Sequence, residues 1–382
     1  ARTATRRQRL SPQEPSSTSG AATLRGGATS HSAQCEEPLP GCEELLGGLA
    51  PRAGKVGLKN IGNTCFMNAG LQCLSHVEPF AEFFLSGRYE EEVNMQNPLG
   101  SQGTLSKSFA RLQMELWQPD KKVCDPKKLH QQLQTVAPFL FEDYEQQDVQ
   151  EFFACILDNL HEDLNRVAKK PAARTEAEDK TDEKLARERG DEFAAALSWL
   201  RYLERGKSFL VDLLQGQLRS ILTCTRCGHT STTFDPFLYM SLPVNKKMTR
   251  VVDALEKYLE EEHLTGDERW HCEKCKRKVE ARKKIDLWML PPVLVLHLKR
   301  FEFDSRSFRF KKIDSLLSAP LMLDLSRYCS TAQKDGALYN IVCIANHLGP
   351  YGFGHYTATC RVGGAQNGTW HYFDDERVSQ FS

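Results

Sequence analysis

Cys65 stands where a Gly/Asn-rich turn, Gly57-Leu-Lys-Asn-Ile-Gly-Asn-Thr, gives way to a helical pattern. The first amides of a helix have no internal partner, and its dipole places partial positive charge there. Cysteine reacts as the thiolate, and such a position can lower a thiol pKa from about 8.5 to roughly 3.5–7.5. The spacing therefore predicts an activated nucleophile, although a buried helix-terminal thiol has the same signature. Small residues before Cys65 keep the backbone close enough to donate amides to a substrate oxyanion, and Asn60 would add a side-chain donor there. A base is offered far along the chain, where Gly349-Pro-Tyr-Gly-Phe-Gly leads into His355. Histidine suits a catalytic thiol because its pKa lies near neutrality. Nineteen positions later comes Asp374, at the end of a second strand-like segment. A turn around Gly363 and Gly364 would bring the end of that strand beside His355, so that Asp374 could hold the imidazole tautomer. A structural histidine and an Asp-Asp turn are the plain alternatives.

A second constellation is Cys224-Thr-Arg-Cys227 with Cys272-Glu-Lys-Cys275. Four thiolates suit tetrahedral zinc, and each pair can present two of them to one ion. The 44 residues between the pairs exceed the usual ribbon spacing of about 15–20, which puts the knuckles on separate hairpins. Four thiolates would close the coordination sphere, so the expectation is one structural Zn2+ per chain, against two unrelated cysteine pairs.

The elements that must carry these residues change character along the chain. From Phe66 onward Ala69, Gly70, Cys73, Leu74 and Val77 follow helical spacing, with Thr64 placed to cap the start. Over 148–164, Val149, Phe152, Phe153, Ile156, Leu157 and Leu160 make a broad apolar face. Between positions 169 and 189, 13 of 21 residues are charged with both signs interleaved, which predicts a solvated helix or an inserted loop. The segments VLVLHLKRFEF, LYNIVCI, HYTATCRV and WHYF are short, β-branched and aromatic, and read as strands. Helices first and strands later indicate an α+β domain with an antiparallel sheet. Residues 1–54, rich in Ser, Thr, Gly, Pro and Ala, read as a disordered tail.

The chain has 382 residues with 50 basic and 50 acidic side chains, so no global field draws it to nucleic acid or an anionic membrane. No apolar run approaches the roughly 18–20 residues of a membrane span. Thirteen cysteines, an odd number in a long chain, favour a reducing compartment, and the expected location is cytoplasmic or nuclear.

Four segments also carry a resemblance: residues 57–68; Gln146-Gln-Asp148-Val-Gln-Glu-Phe152; Pro291-Pro-Val-Leu-Val-Leu-His-Leu-Lys-Arg-Phe301; and Gly354-His355-Tyr356 with Trp370…Phe373-Asp374-Asp375. In this order they resemble the sequence boxes of the ubiquitin-specific proteases. The resemblance implies a papain-like fold likened to a right hand, with helical thumb, antiparallel β palm and zinc-bearing β fingers. Cys65, His355 and Asp374 would match the triad, and Asn60 the oxyanion side chain. Asp148 would receive an arginine of the ubiquitin tail, where a helix cap is the alternative role, and Tyr356 and Phe301 would line the tail channel. It implies a catalytic domain over 55–382, with fingers at about 208–300, a charged insertion at about 166–192, and a C-terminal end cut short relative to the family. The implied activity is thiol-dependent cleavage after the last glycine of ubiquitin, by a monomer whose partners are ubiquitin and ubiquitinated proteins. An inactive ubiquitin-binding module, or a protease for another ubiquitin-like modifier, shares these motifs. Leu24-Arg-Gly-Gly27 resembles the ubiquitin tail, as a Gly-rich tract does by chance.

Overall fold

Helix α1, Cys65–Ser75, buries almost its whole circumference: Phe66, Met67, Ala69, Leu71 and Leu74 pack in the core, and the polar stripe Asn68, Gln72 and Ser75 is buried on hydrogen bonds to Asp375, the Val56 carbonyl and Trp117. The computed structural model describes residues 54–141, 145–304, 308–330, 337–365 and 367–381; the expected tail and its Leu-Arg-Gly-Gly segment lie outside them. Against α1 packs α2, Val149–Asp163. Gly70 permits the approach, since a Cβ there would stand 2.6 Å from the Phe152 ring. Phe152 is fully buried, a burial worth about 1.5–3 kcal/mol. Thr64 does occupy the position before α1 but is not a side-chain cap. Its hydroxyl accepts from the Ile61 amide at 3.1 Å and donates to Asn60 Oδ1, so it stitches the preceding turn instead.

Two antiparallel sheets follow. In the first, β1 (Gly216–Cys224) lies between β2 (Thr230–Phe237) and β4 (Ala281–Met289), with β3 (Glu262–Leu264) on the outer side of β4. The second runs β5 (Cys343–Leu348), β6 (His355–Val362), β7 (Thr369–Asp374) and β8 (Arg377–Gln380) in chain order. Tyr356, Ala358, Cys360 and Val362 of β6 and Phe373 of β7 enter the same apolar core as α1. That shared core is what holds the start of β6 beside the start of α1. The six-residue β6–β7 connection opens on Gly363 at φ +90° and Gly364 at φ +102°, a region that disfavours any Cβ. A separate core around Met240, Leu242, Ala254, Leu255 and Leu287 supports the first sheet. The α+β class read from the sequence is the class observed.

The charged stretch forms a helix over Glu176–Arg189 with no buried residue, opened by a reciprocal Thr175–Glu178 capping box. Its charges pair locally, as Lys180 does with Glu176 at 2.6 Å.

Candidate active site

The β6–β7 register sets Ala358 opposite Phe373, which brings Asp374 diagonally across from His355 at the head of β6. There His355 Nε2 lies 2.7 Å from Asp374 Oδ1, with both side chains a little over one third exposed. A carboxylate on Nε2 fixes that nitrogen as the donor and leaves Nδ1 as the basic one.

Cys65 lies at the first turn of α1, only 4% exposed, beneath the head of β6. The Tyr356 amide, next along from His355, hydrogen-bonds toward its sulfur, as do the amides of Phe66 and Cys65 itself. Here the sequence expectation of a lowered thiol pKa is corrected. Burial pushes the Cys65 thiol up, the Asp375 carboxylate adds to that, and the three amides only partly offset them. Among the described residues no hydrogen bond joins the Cys65 thiol to the His355 ring, so the two share a site without being engaged, a common resting geometry. A consequence can be measured. A raised pKa keeps the thiol protonated at neutral pH, so alkylation of Cys65 by iodoacetamide in the free chain accelerates with pH. Its midpoint is expected above the ordinary thiol value of about 8.5. A midpoint below neutrality would show a thiolate already paired with imidazolium.

Asn60 is in the site, but its amide is not free in the way the sequence suggested. Its Nδ2 donates to Asp375 Oδ2 at 2.9 Å, while Oδ1 accepts the Gly62 and Thr64 amides at 3.1 and 3.2 Å. One N–H of the carboxamide is left for a substrate oxygen. Asp375, at φ +49°, also accepts from Asn68 Nδ2 at 2.8 Å, and its carbonyl accepts the Leu58 amide. It thereby ties the turn before Cys65, helix α1 and the β7–β8 turn together. Sequence reasoning passed over this role of Asp375 and Asn68; the signal was a second carboxylate after Asp374 and an amide three residues past the thiol.

Asp148 occupies the N-cap of α2, its Oδ1 accepting from the Gln150 amide at 2.7 Å. The Tyr356 hydroxyl lies against the same carboxylate and the Val149 amide, and burial with this negative neighbour drives the phenol pKa far up. Tyr356 meets the His347 ring at 4.7 Å between centroids, and His347 meets Phe301 at 5.1 Å, both edge to face. Asp148, Tyr356 and Phe301 thus belong to one chain of contacts, with His347 as a member that sequence reasoning missed. Its signal was the register that pairs His347 with Tyr356 across β5 and β6.

The four fingers cysteines also converge. Cys224 and Cys275 sulfurs are 3.9 Å apart and those of Cys227 and Cys272 3.7 Å, with all four within 4.8 Å of one another. Zinc–sulfur bonds of about 2.3 Å in a tetrahedron require sulfurs about 3.8 Å apart, so the set fits zinc. Each knuckle turns through a left-handed residue, Gly228 at φ +67° and Lys276 at φ +53°. Although desolvation raises the Cys224 thiol, the amides of Cys227 and Arg226 together with hydrogen bonds from the neighbouring Cys227 and Cys272 thiols bring the pKa down to about 7.

Comparison with known proteins agrees with this geometry. The family model of ubiquitin carboxyl-terminal hydrolase matches residues 56–382. The chain is 38% identical over 334 residues to ubiquitin carboxyl-terminal hydrolase 2 of Bos taurus, covering 86% of this chain and 52% of that protein. It is 37% identical over 346 residues to ubiquitin carboxyl-terminal hydrolase 21 of the same organism, with 86% and 59% covered. The chain therefore spans about half the length of the curated relatives it matches. Among solved structures it resembles the SAGA DUB module bound to monoubiquitin, at TM-score 0.65 and 27% identity over 87% of this chain and 66% of that one. The SAGA Ubp8/Sgf11/Sus1/Sgf73 module bound to ubiquitin aldehyde gives TM-score 0.64 and 27% identity, with 87% and 66% covered. With its mixed helices and sheets and its cysteine-tipped fingers, the chain belongs to the ubiquitin carboxyl-terminal hydrolase family, as a ubiquitin-specific protease type member.

Proposed function

We propose that this chain hydrolyses the peptide or isopeptide bond after the C-terminal glycine of ubiquitin and so removes ubiquitin from protein conjugates. The observation that carries this reading is the His355–Asp374 pair at the head of β6, packed over a cysteine at the start of α1. Cys65 attacks the glycine carbonyl while His355 Nδ1 takes the thiol proton. Asp374 holds the imidazolium, and the remaining Asn60 N–H with the amides at the start of α1 receives the oxyanion. His355 then returns the proton to the departing lysine amine, and water activated by the same nitrogen clears the acyl-enzyme. Zinc held by Cys224, Cys227, Cys272 and Cys275 would supply folding energy and no chemistry, since four thiolates leave no open position. The similar solved structures bound to monoubiquitin and to ubiquitin aldehyde support ubiquitin as the partner. The reading takes a monomer working in the cytoplasm or nucleus, in keeping with the free thiols of all the described cysteines.

A ubiquitin derivative with an electrophile in place of its terminal carboxylate tests the proposal. Labelling at Cys65 supports the hydrolase; tight binding without labelling makes the chain a binding module; labelling only by another modifier's derivative reassigns the substrate.

Asp148 separates substrate recognition from stability. Asn caps a helix about as well as Asp but carries no charge. Asp148→Asn is therefore expected to leave Tm nearly unchanged while kcat/KM on ubiquitin substrates falls roughly 10–100-fold, the worth of a charge-assisted contact to an arginine. A short substrate with only the terminal glycines should be affected much less. Equal loss on both, or a parallel fall in Tm, would return Asp148 to the role of cap alone.

A further inference from the structure

Residues 349–354 join β5 to β6 and deliver His355. With three glycines in six residues, two of them at φ +86° and +79°, such a loop has little stiffness of its own. The fold holds it from outside at three points. At its entry Lys312 Nζ donates to the carbonyls of His347 and Gly349, at 2.9 and 3.0 Å. In its middle the Tyr351 ring stacks on Phe310 at 4.8 Å and meets Phe301 edge-on at 5.3 Å. At its exit Gly354 lies flat against the His347 ring, where a Cβ would stand 1.9 Å from Nε2.

Phe301, Phe310 and Lys312 all belong to one hairpin, Phe301–Asp304 with Arg309–Lys312, in which Phe301 faces Lys312. The hairpin is thus a seat for the loop, and Lys312 is its charged contact. The Lys312 side chain is only 10% exposed, and its ammonium has the Asp314 carboxylate at 3.3 Å besides the two carbonyls. An ammonium withdrawn from water needs all of its donors satisfied. Opening the loop would pull the Gly349 carbonyl away while His347, in β5, keeps its own, so the ammonium would lose one partner it cannot replace from water, and the charge resists that motion.

We propose that Lys312 is a positioning residue for His355: by gripping the His347 and Gly349 carbonyls it keeps the 349–354 loop in the register that presents the imidazole over Cys65. This rests on the hydrolase reading for its kinetic consequence but not for its structural one. A lysine that merely stitched the hairpin to β5 would change stability without loosening the loop.

The test compares Lys312→Met, which keeps the stem and removes the donors, with Lys312→Arg, which keeps charge and donors. Amide exchange over 349–354 in the free chain, Tm, and kcat and KM on a ubiquitin C-terminal amide are measured for both. With Met the loop amides should exchange at least about tenfold faster, and kcat should fall about tenfold with KM changed less than about threefold, because a misplaced base costs rate more than binding. Tm should shift by only a few degrees, and Arg should restore most of the exchange protection and of kcat. Wild-type exchange and kcat in the Met variant would overturn the proposal. So would an Arg variant of native Tm whose loop exchanges freely, and this arm still decides if the Met variant fails to fold. If the unaltered chain does not hydrolyse ubiquitin amides, the hydrolase reading fails, and the exchange data alone decide for or against the latch.

Discussion

Cys65→Ala should lower hydrolysis of ubiquitin C-terminal amides by at least about 10⁴-fold while leaving ubiquitin affinity within a few-fold of wild type. Removal of a covalent nucleophile typically costs about 10⁶ in kcat, since the other members of the unit have nothing left to activate. Among the described residues no other cysteine is positioned to substitute. Burial pushes Cys124 and Cys155 up to about 11, and neither lies at the head of a helix beneath His355. Binding should survive because Asp148, Tyr356 and Phe301, the proposed tail contacts, hold one another through His347 and all keep their side chains in the variant. The stability effect is small, for the substitution removes one sulfur from a packed site at a cost of about 1 kcal/mol. Residual hydrolysis within tenfold of wild type would show that another group attacks the carbonyl. Loss of binding together with turnover would instead mean that the alanine had disturbed the start of α1.

The second large effect concerns the fingers. Metal analysis should find one zinc per chain, and Cys272→Ser, or chelation, should lower Tm by about 10 °C or more. Structural zinc in isolated finger peptides is worth about 10–16 kcal/mol at pH 7, and even a fraction of that exceeds what a domain this size can lose without a large Tm shift. The knuckles have little else to hold them. Their apolar cluster is the four cysteines themselves with Val279 and Trp270, and the pair Trp270–Cys272 and Arg277–Val279 is a two-stranded ribbon, marginal in isolation. Activity should fall later than fluorescence or exchange at Trp270, because the cluster lies in a core separate from that of α1 and β6. Folded, active chain with no zinc, or with two ions, would refute the assignment.

Much of this molecule was legible from residues a few positions apart. The C-x-x-C knuckles, the apolar stripe of α2, the Gly363-Gly364 turn and the Asp148 cap are products of local terms, in which turn chemistry, helix periodicity and capping act within one or two turns of chain. Even His355 and Asp374 were reachable, because two antiparallel strands joined by a short connection leave few registers, and the one observed sets them 2.7 Å apart. What the local terms could not supply is the electrostatic state of the site. The thiol at the head of α1 should be acidic by position alone, yet burial under β6 and the field of Asp375 raise its pKa. Asn60 looked like a free oxyanion donor until a carboxylate 315 residues away took one of its N–H groups. Lys312 is one of two consecutive lysines in the sequence, and only the meeting of its hairpin with β5 turns it into a grip on the loop before His355. Desolvation and the fields of distant charges depend on which surfaces are brought together, and that is decided only when separate elements share a core. The sequence by itself thus determined which groups are present and on which elements they ride; the tertiary structure decided how each one is charged, held and paired.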